Sequence, residues 1–239
     1  MKKLIISVFL IIFLTFIIYK TNSDNLIDYM SIGDSFDLGI NSYGNNTYSF
    51  HDYIKNYLDN NKNLHKTSFY YSKPNYKIED LLEDIKNNKE IIYNDKTYNI
   101  KKELREADLI TIAIGMDELV NIIEYNGKLN NIKTTYEKID TMITNMDNLI
   151  KTVKKISSSN IVLIGYYNPY KKESKELNRL FSYIDDKYLT ISKKYKITYV
   201  DIYKTIKDNS DYLPNFKDYH INSKGYLKVA SKVIDKLKY

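Results

Sequence analysis

The chain has 239 residues, enough for one domain with a well-buried core. It contains no cysteine, which excludes disulfides, thiolate metal sites and lipid-modified cysteines, and its three histidines are too few for a His-rich metal centre. The formal net charge of +6 falls to +3 beyond residue 20, spread without a patch or stripe, so no nucleic-acid partner is expected.

Leu4 to Tyr19 form a sixteen-residue apolar run broken only by Ser7 and Thr15, with Lys2 and Lys3 ahead of it and Lys20 behind. The run lies between the about 7–15 residues of a secretory h-region and the about 17–25 of a membrane span. No small-x-small cleavage site follows, since the next residues are Lys20-Thr21-Asn22-Ser23, and lysines at both ends extend a span by snorkelling. Residues 1–20 are read as an uncleaved signal anchor, a transmembrane helix with the rest of the chain outside the cytoplasm. A cleaved signal peptide, and hence a secreted protein, is the alternative. Residues 21–25 are a short polar linker, and 26–239 carry no repeat and no Pro/Gly/Ser-rich divider, which predicts a single domain.

Within that domain short apolar runs alternate with longer amphipathic segments, the pattern of a parallel sheet covered by helices on both faces. Strands are predicted at 26–32, 66–71, 109–114, 161–165 and 197–201, and helices at 48–60, 78–87, 134–156, 175–195 and 223–237. The stretch 91–100 alternates around Asn94-Asp95 and reads as a small hairpin, with a helix resuming at 101–106. Residues 120–133 are polar and contain a glycine, and are read as a loop over the site. In an open parallel sheet ligands bind beyond the carboxyl ends of the strands. Ser35, Asp117 and the loop Tyr166–Tyr170 all follow predicted strands, which puts them on one edge.

Two segments at opposite ends of the domain carry the chemistry. Gly33-Asp34-Ser35 follows the first predicted strand, and Asp218-Tyr219-His220 precedes the last predicted helix. A serine hydroxyl is a weak nucleophile and needs a base within hydrogen-bond reach, and a carboxylate on the far side of that base orients it. The segment Tyr29-Met30-Ser31-Ile32-Gly33-Asp34-Ser35 resembles the first block of the SGNH (GDSL) hydrolases, and Asp218-Tyr219-His220 resembles their last. Ala107 to Leu119 and Ile161 to Tyr170 fit the middle blocks in the family's order.

That resemblance implies a flavodoxin-like three-layer α/β/α sandwich with about five parallel strands. It implies Ser35 as nucleophile, His220 as general base and Asp218 as the residue that orients it. The family's usual spacing is Asp-x-x-His, one residue longer than here, and Asp211 is the fallback. No metal or organic cofactor is implied. His51 and His65 lack any such context and are read as structural or surface residues.

The family's oxyanion hole takes a backbone N–H from the nucleophile, another from a glycine in its second block, and an asparagine side chain in its third. Ser35 supplies the first. Asn75 stands nearest to the glycine, and asparagine tolerates the left-handed backbone such a donor needs. In the third block Gly115-Met116-Asp117 places an aspartate where asparagine is expected, and an ionised carboxylate cannot donate. Burial that kept Asp117 protonated would restore a donor. Tyr166, Tyr167 and Tyr170 are candidates to line an acyl or sugar site. The resulting expectation is a membrane-anchored esterase acting on a small-molecule, lipid or O-acylated glycan ester. Its rivals are a non-catalytic binding module that kept the fold after losing its oxyanion hole, and a structural envelope protein.

Overall fold

The computed structural model describes residues 26–123, 129, 131–170, 174–207, 210–215 and 218–237. The proposed anchor and linker, residues 1–25, lie outside the described residues, as do 124–128 and 130 of the segment read as a loop. Among the described residues no helix is long and apolar enough to cross a membrane.

Strands β1 (Ile27–Gly33), β2 (Leu64–Ser68), β5 (Leu109–Ala113), β6 (Asn160–Ile164) and β7 (Thr198–Val200) form one sheet in the order β2-β1-β5-β6-β7, every pair parallel. The inner strands β1, β5 and β6 are almost wholly buried, as parallel strands covered on both faces must be. β3 (Glu90–Tyr93) and β4 (Lys96–Asn99) make a separate antiparallel hairpin. Its turn residues Asn94 and Asp95 both have positive φ, 49° and 58°, as a two-residue hairpin turn of right-handed twist demands.

One face of the sheet carries α1 (Phe50–Asn60) packed on α8 (Ser223–Ile234). The other carries α2 (Ile78–Lys86), α3 (Ile100–Glu106), α4 (Met116–Ile122) and α6 (Lys175–Tyr195), gathered around α5 (Ile132–Ile156). A short helix α7 (Tyr203–Lys207) and a 3-10 turn (Ser210–Tyr212) lead into the final loop. Side-chain caps start the helices where the sequence places them: Ser49 for α1, Asn131 for α5, Ser174 for α6 and Asn222 for α8.

Several predicted boundaries move, three of them with a clear physical reason. β2 ends at Ser68, and Phe69, Tyr70 and Tyr71 leave the sheet to pack on Tyr29, on the β3–β4 hairpin and in the core. Their aromatic character suggested strand, but it serves packing beside an edge strand that is itself polar. The segment 120–133 is not a loop throughout: Leu119 is buried, and α4 continues to Ile122. Lastly, α5 begins at Ile132, because Asn131 caps it through the Thr134 N–H.

The chain leaves β1 for β2 on one side and later crosses to β5 on the other. The strand order therefore reverses between β1 and β5, which is where an open α/β sheet opens a crevice at its carboxyl edge.

Candidate active site

The turn after β1 is set by close approach. A Cβ on Gly33 would lie 2.1 Å from the Ala113 carbonyl oxygen and 2.4 Å from Asp37 Cβ, so only glycine brings β1 this near the end of β5. Asp34 then ties the two turns together. Its Oδ1 accepts the Phe36 N–H at 3.1 Å, and its Oδ2 accepts the N–H groups of Gly115 at 2.8 Å and Asp117 at 3.2 Å. Complete burial pushes this carboxyl well above the usual range, and the charge of Asp117 adds to the shift.

Ser35 follows, only 2% exposed, with its Oγ 2.8 Å from His220 Nε2. His220 Nδ1 lies 2.6 Å from Asp218 Oδ1, which also accepts the His220 backbone N–H at 2.7 Å. That second bond explains how the short spacing reaches. The chain folds back over two residues as an Asx turn, so the carboxylate meets the ring from its own neighbourhood. Downstream, Asn222 caps α8 and also donates its side-chain amide to the Asp211 carbonyl at 2.6 Å. Asp218, and not the fallback Asp211, therefore stands at the imidazole.

The oxyanion side is arranged differently from expectation. Asn75 does adopt the left-handed region, φ 56°, and presents its N–H inward. That N–H, however, donates to Asp117 Oδ2 at 2.7 Å, and the Ser35 N–H donates to the same oxygen at 3.3 Å. Asp117 Oδ1 accepts the Tyr219 hydroxyl at 2.9 Å and the Ser35 hydroxyl in a short contact. Asp117, 2% exposed in the first turn of α4, thus acts as an acceptor from two backbone N–H groups and two hydroxyls. Its carboxylate lies where the N–H groups of Ser35 and Asn75 converge.

This has a consequence for the proton on Ser35. One hydroxyl carries one proton, so Ser35 cannot donate to Asp117 and to His220 at once. When Asp117 takes it, His220 holds Ser35 Oγ only as an N–H donor, and the imidazole is not then placed to accept the serine proton.

Of the three tyrosines expected to line the site, two lie in the interior with their hydroxyls engaged. Tyr166 and Tyr167 are buried. The Tyr166 hydroxyl donates to the Ile114 carbonyl at 2.8 Å and meets the Tyr188 hydroxyl at 2.7 Å. It sits 2.2 Å from where a Cβ of Gly115 would be, so it supports the turn of φ 102° that opens α4. Tyr167 packs on Phe36 and donates to the Tyr219 carbonyl at 2.6 Å. Both pack beneath the turns that carry Asp117 and His220. Tyr170 is half-buried, with its hydroxyl pushed up to about 12 by burial.

Sequence reasoning passed over Tyr219. It is half-buried, its ring stacks on His220 with centroids 4.1 Å apart, and its hydroxyl reaches Asp117. Its only signal was position, between the two residues assigned to base and orienting acid. A cleft of about 280 Å³ opens beside Asp117, bounded by Asn75, Lys77, Glu118, Asn121 and Lys138. His51 and His65 sit apart, the first buried near Asp37 and the second exposed against Asp28.

With this geometry in hand, the family assignment follows. The model of the GDSL-like lipase/acylhydrolase family matches residues 29–233. The chain belongs to that family, a family of ester-bond hydrolases. A curated relative, the uncharacterized protein YpmR of Bacillus subtilis (strain 168), is 23% identical over 167 residues. That match takes in 67% of this chain and 62% of the relative's length. Among solved structures the fold is shared with the lipase Lip_vut3 from a goat rumen metagenome, at a TM-score of 0.72 and 18% identity over 87% of this chain and 96% of that one. It is shared also with Axe2, an acetylxylan esterase from Geobacillus stearothermophilus, at 0.64 and 14% over 89% and 94%.

Proposed function

We propose that the protein is a serine esterase that hydrolyses an acyl ester through a seryl acyl-enzyme. The observation that carries this is the chain of contacts Ser35–His220–Asp218, at 2.8 and 2.6 Å, assembled at the switch point of the sheet from residues 185 positions apart. His220 takes the Ser35 proton as Oγ attacks the ester carbonyl, then returns it to the leaving alcohol. Asp218 holds the tautomer and stabilises the imidazolium. Water then repeats the sequence on the acyl-enzyme. The N–H groups of Ser35 and Asn75, which converge on one oxygen of Asp117, are the donors for the oxyanion once that carboxylate is displaced or protonated.

The substrate class we favour is a small acyl group on a polar alcohol, an O-acylated glycan more than a long-chain lipid. The cleft beside Asp117 supports this, because Lys77, Glu118 and Lys138 put charge on its rim, while Ile122 leaves apolar surface for a small acyl group. We further propose that residues 1–20 anchor the enzyme in the cell membrane with its catalytic domain outside the cytoplasm, on the strength of the apolar run and its flanking lysines. A second reading, a binding module without catalysis, is favoured by one observation: Asp117 already occupies the oxyanion position.

Fluorophosphonate labelling of the detergent-solubilised full chain tests these readings against each other. An esterase labels at Ser35, and Ser35→Ala does not. A wild type that stays unlabelled across the pH range, beside folded protein, excludes the esterase and leaves the binding module.

A further inference from the structure

We propose that the Tyr219 hydroxyl is an oxyanion donor of this site, taking the place of the asparagine amide that residue 117 no longer offers. The inference rests on the esterase reading above. Its warrant is what Asp117 stands in for. A buried carboxylate that gathers donors marks the region where this protein can stabilise negative charge on oxygen, and three groups besides the Ser35 hydroxyl reach it. The backbone N–H groups of Ser35 and Asn75 meet Oδ2 at 3.3 and 2.7 Å, and the Tyr219 hydroxyl meets the adjacent Oδ1 at 2.9 Å, the oxygen that also contacts the Ser35 hydroxyl.

Tyr219 is also held in place on every side. Its ring lies on the His220 imidazole, 4.1 Å between centroids at 29°. Its carbonyl is fixed by the Tyr167 hydroxyl at 2.6 Å, and its neighbours Asp218 and His220 are locked by their own Asx turn. A donor pre-aimed in this way costs no reorganisation when charge develops, the condition under which such groups contribute most. Burial, followed by the charge of Asp117, pushes the hydroxyl far above its ordinary pKa, which favours the protonated, donating form. When Asp117 gives way to substrate, the Tyr219 proton faces the acyl oxygen and Ser35 alone. No bond in Tyr219 forms or breaks. It donates a hydrogen bond and keeps its proton throughout.

The test uses the full chain in detergent micelles with p-nitrophenyl acetate, turnover being expressed per serine titrated by the fluorophosphonate at its endpoint. Tyr219→Phe keeps the ring on His220 and removes only the donor. We expect kcat to fall on the order of 100-fold with KM little changed. In an Asp117→Asn background, where an amide again donates, the same substitution should cost about tenfold less in kcat, with KM and the thermal midpoint little changed in both backgrounds, which separates a lost donor from loss of the direct contact between residues 219 and 117. A wild type that turns over while Tyr219→Phe matches it per titrated serine overturns the role of Tyr219 and leaves the esterase standing. Equal losses in both backgrounds also overturn it. If the wild type itself titrates no serine and cleaves no ester, the esterase reading fails first and this proposal with it.

Discussion

Among the described residues two buried histidines each stand against an aspartate, in pairs of similar composition and opposite character. In the first, His220 is 2.6 Å from Asp218 through one ring nitrogen and 2.8 Å from Ser35 through the other, and the carboxylate is partly open to solvent. In the second, His51 Nδ1 stands 3.4 Å from Asp37, an ion-pair distance without a well-formed hydrogen bond, and its ring lies on Phe69. Asp37 there is wholly buried and is also held by the hydroxyls of Ser31 and Ser72. Both pairs put an imidazole beside a carboxylate. Only the first has its second nitrogen aimed at a serine hydroxyl, and on the esterase reading that single contact separates a proton-transfer device from a packing element.

The sharpest way to break this distinction is to remove each imidazole in turn. His220→Ala should lower kcat on simple esters by about 10⁴-fold or more while leaving the thermal midpoint near wild type, as measured by steady-state kinetics and calorimetry. Asp218→Asn follows, with a loss of up to about 10⁴-fold. The half-exposed position of this carboxylate argues for the lower part of that range. A loss no greater than a few-fold would show that the Asx turn alone orients the ring. Next in size is Asp117→Asn, which exchanges an acceptor for a donor in the oxyanion hole. Turnover at neutral pH should rise, by up to about 100–1000-fold. A variant that merely matches wild type would mean that Asp117 leaves the hole unaided whenever substrate binds.

The smallest effect belongs to the second pair. His51→Gln should leave kcat close to wild type and lower stability by about 1–3 kcal/mol. Burial alone would depress the His51 pKa, but the charge and contact of Asp37, helped by Asp52, outweigh it and raise the value. Stability gained from the charged form is then complete below the unfolded value of about 6.5 and is lost as pH climbs through the raised folded value. The gap between wild type and His51→Gln in urea melts should therefore be widest near pH 6 and narrow on the alkaline side. A gap that widens with pH would show that His51 is held neutral.

Much of the architecture was legible because parallel strands buried on both faces leave short apolar runs that little else imitates. β1, β5 and β6 stand within a residue or two of their predicted positions, and the Asn94-Asp95 turn announced its hairpin. The aromatic residues were harder to read. In a chain with 25 tyrosines the letter alone does not separate Tyr166, fixed under Gly115, from Tyr219, aimed at Asp117. That difference depends on which loop approaches which strand end, over separations of 52 and 102 residues. The exchange at position 117 was visible as an aspartate in place of an asparagine. What it does was not, because accepting from Ser35, Asn75 and Tyr219 requires three distant segments to meet.

The bond from the Asp117 backbone N–H to Asp34 Oδ2, at 3.2 Å, decides what kind of gate this is. Asp34 is sealed in the interior and pins the main chain of residue 117 as firmly as it pins Gly115. Clearing the hole thus requires no hinge, no loop swing and no sliding of α4, only rotation of one short side chain toward the neighbouring cleft. That rotation must break the contacts with Ser35, Asn75 and Tyr219, so its cost falls on the side chain and not on the backbone. The gate would act as a constant tax on the fraction of molecules competent at any instant, lowering apparent affinity in proportion.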